Sequence, residues 1–114
     1  MSRLLKLFWG VAGVAALVSA QPLLAQDCKV TVGRVVPITG PLLDMGRETP
    51  WVDDNKVKPI NAAGGLAVGG KKCRIEYKIY DSKGTMAGSG EAATRAILQD
   101  KVDVLMAQGT PDTT

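Results

Sequence analysis

The segment INAAGGLAVGGKKCRIEYKIYD, residues 60–81, constrains the fold more than any other part of the chain. A helix-like stretch ends at Gly64–Gly65, and an alternating apolar run begins at Cys73. A phosphate-binding glycine loop has the opposite order, because it follows a strand and opens a helix whose N–H groups point at the anion. Glycine behind a helix instead supplies the left-handed residue that closes the helix. The segment therefore predicts a helix-to-strand connection with a tight turn at Gly69–Gly70, and it argues against nucleotide chemistry.

Three apolar runs predict β-strands. The first, CKVTVGRVVP, is rich in valine and apolar on both faces, which is typical of a buried parallel strand that ends at Pro37. The second, CRIEYKIYD, alternates with period two and predicts a strand with one buried face. That face carries four side chains: Cys73, Ile75, Tyr77 and Ile79. The third run is VDVLMA, which leads into the polar segment QGTPDTT.

Two segments between these strands predict α-helices. Thr49 is suited to cap the first, and Pro50 fits the first helical position. Pro59 lacks a backbone N–H, so we expect a kink or a break near Lys58. The second helix is predicted from Thr85 or Met86 to Asp100.

The resulting order, β-α-β-α-β, predicts an α/β fold with a parallel three-layer sheet and right-handed crossovers. In the common doubly wound arrangement the first strand lies between the second and the third. The carboxyl ends of strands one and three, at 37–41 and 108–114, then open on the same edge of the sheet. Ligands in open α/β sheets bind at that edge, where the strand order reverses.

The two cysteines are predicted to pair. Cys28 and Cys73 lie near the amino ends of two neighbouring predicted strands, at similar height. A disulfide there would close a loop for which the chain-entropy model gives about 4 kcal/mol of stabilisation. The alternative is two free thiols in a reducing compartment. A metal site is poorly supported, since the chain has no histidine and two cysteines alone seldom satisfy zinc.

The first 25 residues have the layout of a secretory signal peptide. Arg3 and Lys6 precede an apolar run, and small residues follow it, so cleavage is predicted after Ala20 or Ala25. The alternative is a retained membrane anchor, although the apolar run is shorter than the ~20 residues of a comfortable span. We take residues 1–25 as the signal peptide and residues 26–114 as the folded part, which predicts a periplasmic protein.

Charge and composition argue against two further classes of protein. Without Arg3 and Lys6, 12 basic side chains remain against 11 acidic ones, so no basic surface indicates nucleic-acid binding. The lack of histidine removes the Ser/His/Asp and Cys/His arrangements of hydrolases, so we do not expect an enzyme. No cofactor is predicted.

Four motifs together resemble one family. VVPITGPLLDMG, INAAGG, IEYKIYDSKGT and ILQDKVDVLMAQGT are similar to the N-terminal lobe of type I periplasmic solute-binding proteins. Among these they look most like the branched-chain amino acid (Leu/Ile/Val) receptors of ABC transporters. The resemblance implies that residues 26–114 form a truncated, N-terminal portion of the first of two ligand-binding lobes.

The resemblance also implies which residues line the ligand cleft. In this family the loops after the first and third strands lie in the cleft, Met45 matches a wall residue, and the stretch 109–111 matches the segment that meets the ligand's carboxylate. The predicted ligand-binding residues are Thr39, Gly40, Pro41, Met45, Gly109, Thr110 and Pro111. Ordinary alternatives remain for these positions: a strand-to-helix turn at 39–41 and a frayed terminus at 108–114. Asp81 is either a turn-former or a ligand contact.

The function implied is that of a transport receptor. Such a protein would bind a branched-chain amino acid or a related small organic solute and present it to an ABC permease in the inner membrane, as a monomer when full length. The alternative is a ligand-binding sensory domain of the same fold in a periplasmic receptor or regulator.

Overall fold

The computed structural model describes residues 28–114, and the predicted signal peptide lies outside them. Strand β1 spans Lys29–Val36, the short helix α1 Leu43–Gly46, and helix α2 Thr49–Ala62. Strands β2 and β3 span Leu66–Val68 and Lys71–Asp81. Helix α3 spans Met86–Thr94 and widens into a π-helical turn at Arg95–Gln99, before strand β4 at Val104–Ala107. None of the helices in the described part is long and apolar enough to cross a membrane.

The four strands form a sheet in the order β2-β3-β1-β4. Strand β1 pairs in parallel with both β3 and β4, as predicted for a first strand placed between the next two. Strand β2 was not predicted. It pairs antiparallel with β3 through the turn at Gly69–Gly70, so the sheet is mixed at this edge and parallel elsewhere. The expected α/β architecture is thus confirmed, with one antiparallel edge strand added.

The two long helices cover opposite faces of the sheet. On one face, Val35 and Tyr80 pack against Ala92 and Ala96 of the α3 region in the main apolar core. Gly33 makes room for this packing, because a Cβ there would lie 3.0 Å from the Tyr80 ring. The Tyr80 hydroxyl donates to Asp100 at 2.7 Å. Burial, together with that carboxylate, raises the pKa of Tyr80 to about 12.

The other face carries α2 and a polar contact. Arg34 Nε lies 3.4 Å from Asp53 Oδ2, and the Tyr77 hydroxyl donates to the same oxygen. Strand β3 was predicted to bury one face only. Tyr80 is buried on the second face, because α3 folds back over it.

The glycine pair behind α2 ends the helix as the sequence predicted. Gly65 N–H donates to the Ile60 carbonyl at 2.9 Å and Gly64 N–H to the Asn61 carbonyl at 3.1 Å. Both glycines have positive φ, 97° and 104°. This is the Schellman arrangement, which satisfies the last carbonyls of a helix. The carbonyl-rich end of α2 therefore faces these glycines.

Asn61 fixes this end of α2 to the sheet. Its side-chain amide donates to the Ile75 carbonyl at 2.9 Å and accepts from the Ile75 N–H at 2.8 Å. The two bonds take the place of a neighbouring strand along the edge of β3, just beyond the short strand β2.

The expected break in α2 and the expected cap at Thr49 are not found. Helix α2 continues through Pro59 to Ala62 without a break. Pro59 stands near the C-terminal end, so the missing N–H removes one hydrogen bond shortly before the helix stops. Thr49 is the first helical residue and not the cap, because its hydroxyl donates to Gln108 at 2.6 Å instead of serving the backbone.

The amino ends of the strands are held together covalently. A disulfide joins Cys28 to Cys73, the pairing that the sequence predicted. Nearby, Thr31 N–H donates to Asp103 Oδ2 at 2.7 Å, and Asp103 N–H donates to the Thr31 carbonyl at 2.9 Å. This end of the sheet lies away from the predicted ligand loops.

Candidate functional site

Three loops leave the carboxyl ends of β1, β3 and β4 at one edge of the sheet. They span 37–42, 82–85 and 108–114. Parallel pairing of β1 with both neighbours places the three strand ends side by side. This is the edge at which open α/β sheets bind ligands, and it carries all seven predicted ligand-binding residues.

Asp81, the last residue of β3, organises the loop behind β1. Its Oδ1 accepts the backbone N–H groups of Ile38, Thr39 and Lys83, at 3.1, 3.3 and 2.8 Å. Its Oδ2 accepts the Thr39 hydroxyl at 2.5 Å. The Lys83 contact is the turn-forming role considered for Asp81, and the contacts to residues 38 and 39 extend it to a second loop.

These hydrogen bonds determine the ionisation of Asp81. Partial burial raises the pKa of its carboxyl group, but the Thr39 hydroxyl and the three backbone N–H groups lower it more, so the net pKa lies below the ordinary value of 3.8. Asp81 is therefore an anion at neutral pH, with its charge directed into the loops.

The loops behind β1 and β3 also touch through their backbones. Gly40 has φ +80°, and a Cβ at this position would collide with the Lys83 carbonyl oxygen. Glycine is thus required at position 40 by conformation and by space. The backbone of the loop 39–41 is therefore held close to the β3 turn.

Asp112 lies inside the loop behind β4. It is 5 % exposed, and its Oδ2 accepts the hydroxyls of Ser82 and, at 3.2 Å, Ser89. Burial raises the pKa of this carboxyl group, but the hydrogen bonds, with Ser82 first, lower it more, and the net pKa is lowered. The negative charge therefore points into the protein, away from the open edge.

Gln108 connects the end of β4 to the first two helices. Its side-chain amide donates to the Met45 carbonyl and its oxygen accepts the Thr49 hydroxyl at 2.6 Å. Its backbone N–H donates to the Val35 carbonyl at 3.0 Å, which extends the ladder between β1 and β4. Gln108 therefore fixes the position of Met45 relative to the sheet.

The seven predicted ligand-binding residues differ in their exposure to solvent. Six are exposed at the edge: Thr39, Gly40, Pro41, Met45, Gly109 and Pro111. Met45 is 52 % exposed, and a side chain added at Gly109 would meet open space. Thr110 is only 2 % exposed, and its hydroxyl donates to the Gln108 carbonyl within its own loop.

A groove of about 800 Å³ begins beside these loops and runs between β3 and α3. It shares Ile38, Asp81 and Lys83 with the edge, but none of the seven predicted residues lines it. The exposed residues around Met45 thus form an open surface. In residues 28–114, no group of three or more His, Cys, Asp or Glu side chains is placed to hold a metal ion.

Sequence reasoning missed three contributors to this edge. Gln108 lies in the segment taken as a polar tail, and Ser89 lies inside the second predicted helix. The one signal available was Ser82 directly behind the strand predicted to end at Asp81. No local pattern indicates that Asp112 reaches Ser82, because the contact joins positions 30 residues apart.

Comparison with known proteins agrees with this architecture. The family model described as "Periplasmic binding protein" matches residues 29–114, which is most of the chain. Among solved structures, the leucine-binding protein LivK from Thermotoga maritima is similar, with a TM-score of 0.56 and 20% sequence identity. The similarity covers 74% of this chain and 22% of LivK, so the chain spans about a fifth of that protein's length. At this identity the likeness shows the fold, and the family match identifies the chain as a member of the periplasmic binding protein family.

Proposed function

We propose that this chain forms one wall of a solute-binding cleft in an exported receptor of an ABC transporter. The solute class is branched-chain amino acids or a related small organic solute. The observation that carries the proposal is the edge itself, where Asp81 and Gln108 hold two loops and Met45 in place around exposed Thr39 and Gly109. Membership of the periplasmic binding protein family supports a solute-binding role, and the leucine-binding protein LivK shares the fold.

The chemistry of the edge suits a small molecule with a polar head and an apolar tail. Met45 offers a flexible apolar side chain, which adapts to aliphatic groups. The Thr39 hydroxyl donates its proton to Asp81, so its lone pairs remain to accept from an ammonium group, with the Asp81 charge behind it. The exposed backbone at 109–111 would meet the carboxylate, as the family resemblance implies. Thr110 would act through the shape of its turn, since its hydroxyl faces inwards.

The proposed location is the periplasm, with residues 1–25 as the signal peptide and an inner-membrane permease as the partner. A disulfide between Cys28 and Cys73 supports an oxidising compartment, because structural disulfides persist there and are rare in reducing ones. The seven predicted ligand residues remain part of this proposal.

A titration of the isotope-labelled chain from residue 26 onward with leucine tests the solute class. We expect backbone NMR shifts at Thr39, Gly40, Met45 and Gly109, with a weak dissociation constant of about 1 mM because one wall holds the solute. Glutamate at the same concentration should leave these signals unchanged.

Two alanine variants serve as a matched pair. Met45→Ala should reduce the shifts caused by leucine, whereas Met106→Ala, which alters an exposed methionine on β4, should not. Leucine-dependent shifts confined to the groove between β3 and α3 would contradict the proposed site. Equal responses to leucine and glutamate would contradict the proposed solute class.

A further inference from the structure

Asp81 and Ser82 are consecutive residues at the end of β3, and their side chains reach in opposite directions. Successive side chains of a strand point to opposite faces of the sheet. Asp81 accordingly reaches the loop behind β1, and Ser82 reaches Asp112 in the loop behind β4. Strand β1 lies between β3 and β4, so the pair spans the end of the central strand.

The Asp81 carboxylate is occupied by the protein itself. Oδ1 accepts three backbone N–H groups and Oδ2 accepts a hydroxyl, so four hydrogen bonds fix it between two loops. Oδ1 accepts more hydrogen bonds than it has lone pairs, and one of the two lone pairs of Oδ2 is engaged by the Thr39 hydroxyl. Asp81 is therefore suited to hold Thr39 in place.

Ser82 is held just as firmly on the other side. It is fully buried, and its N–H donates to the Val36 carbonyl at 3.1 Å, which continues the parallel ladder for one residue beyond β3. Its hydroxyl donates to Asp112 Oδ2. The second oxygen of Asp112 is buried without a hydrogen-bond partner in the described part of the chain, so Oδ2 carries the contacts that hold this loop.

We propose that Asp81 and Ser82 are positioning residues that set the spacing of the two solute-binding loops across the end of β1. The proposal rests on the proposed function, because the loops matter only if they bind solute. Neither side chain touches the solute. Each acts through a different loop, so loss of one leaves the opposite loop in place.

Amide hydrogen exchange on the chain tests the positioning without any solute. Asp81→Ala should increase exchange at Ile38 and Thr39, where the acceptor is lost, and leave the loop at 110–114 unchanged. Ser82→Ala should instead increase exchange in the loop at 110–114 and leave Ile38 and Thr39 unchanged. Asp81→Asn should restore most of the protection, because its side-chain oxygen still accepts the three N–H groups.

Asp103→Ala is the matched control. Asp103 also accepts a backbone N–H, from Thr31 at 2.7 Å, but at the opposite end of the sheet. The Asp103→Ala variant should increase hydrogen exchange at Thr31 only. Equal increases at both loops in all three alanine variants would show general loosening and would overturn the proposal.

Leucine titration of the same variants tests the link to solute. Asp81→Ala and Ser82→Ala should each weaken binding about tenfold, as expected when a loop must be ordered during binding, whereas Asp103→Ala should keep wild-type affinity. Unchanged affinity in the two loop variants, despite loosened loops, would overturn the positioning role. If wild-type protein ignores leucine while the exchange pattern holds, the proposed solute fails and the positioning of the loops stands.

Discussion

The two ends of the sheet are held together by different means. At the amino end, a disulfide between Cys28 and Cys73 and reciprocal hydrogen bonds between Thr31 and Asp103 join the strands. At the carboxyl end, two charged or polar side chains, Asp81 and Gln108, hold the loops through several hydrogen bonds each. A covalent link stabilises the fold by limiting the unfolded chain, whereas a hydrogen-bond network fixes the shape of a surface. Changes at the amino end should therefore alter stability alone, and changes at the carboxyl end should alter both stability and solute binding.

The largest effect is expected from loss of the disulfide. The double variant Cys28→Ala/Cys73→Ala opens a loop with a sequence separation of 45 residues, and should lower the free energy of unfolding by about 4 kcal/mol. Urea denaturation with and without a reductant measures this loss in the variant and the parent. At low temperature, where the variant is still folded, hydrogen exchange at residues 38–39 should match the parent. Loosened loops in that folded variant would show that the two ends are not independent.

A pair of glycines in α3 gives the next largest effect. A Cβ at Gly88 would collide with the Ser82 carbonyl oxygen, so Gly88→Ala should cost about 2 kcal/mol through overpacking. A Cβ at Gly90 meets nothing within 4 Å, so Gly90→Ala should stabilise by up to ~1 kcal/mol through helix propensity. Thermal denaturation of both variants measures the contrast. Shifts of the same sign would contradict the close approach of α3 to the β3 turn.

Gln108→Ala should have a somewhat smaller effect on stability, about 1 to 1.5 kcal/mol, because it removes the hydrogen bonds to Thr49 and Met45. It should also weaken the response of Met45 to leucine. Gln99→Ala alters an exposed glutamine in the π-helical turn and serves as the control. Urea denaturation and leucine titration of both variants provide the measurements. A change in stability without any change at Met45 would limit Gln108 to a structural role.

The smallest effect is expected from mild acid. Asp81 and Asp112 both have a lowered pKa in the folded protein, so their stabilisation is fully present above their ordinary value of 3.8 and is lost as the pH falls through the lower folded values. The free energy of unfolding should thus decline below about pH 4. Asp81→Asn should flatten part of this decline. If Asp81→Asn keeps the full decline of the free energy of unfolding with falling pH, other groups must cause that decline.

The order of elements could be predicted because it follows from local patterns. A valine-rich run identified β1, period-two alternation identified β3, and the glycine pair fixed the end of α2. The helix start predicted at Thr85 or Met86 agrees with α3, which begins at Met86 behind Thr85 as its N-cap. The cysteine pairing followed from placing both residues at the same height on adjacent strands. These features depend on a few neighbouring residues or on one topological rule.

The parts that could not be predicted depend on distant contacts. Strand β2 has three residues, which is too short to show a period-two pattern. It forms by antiparallel pairing with β3. Gln108 reaches Met45 across 63 positions, and Asp112 reaches Ser82 across 30. Tyr80 was assigned to the solvent face because its burial depends on where α3 folds. A polar side chain in a loop gives no local sign of the partner it will find.

The bond pair between Asn61 and Ile75 has a consequence for the lifetime of the protein. One amide group occupies both the donor and the acceptor of a strand edge that would otherwise invite pairing with another chain. Hydrolysis of that amide to a carboxylate would keep the acceptor but replace the donor with a charge facing the Ile75 carbonyl. Chemical ageing at this single side chain would thus remove one of the two hydrogen bonds that hold the end of α2 against β3, and would leave the Ile75 carbonyl without its donor.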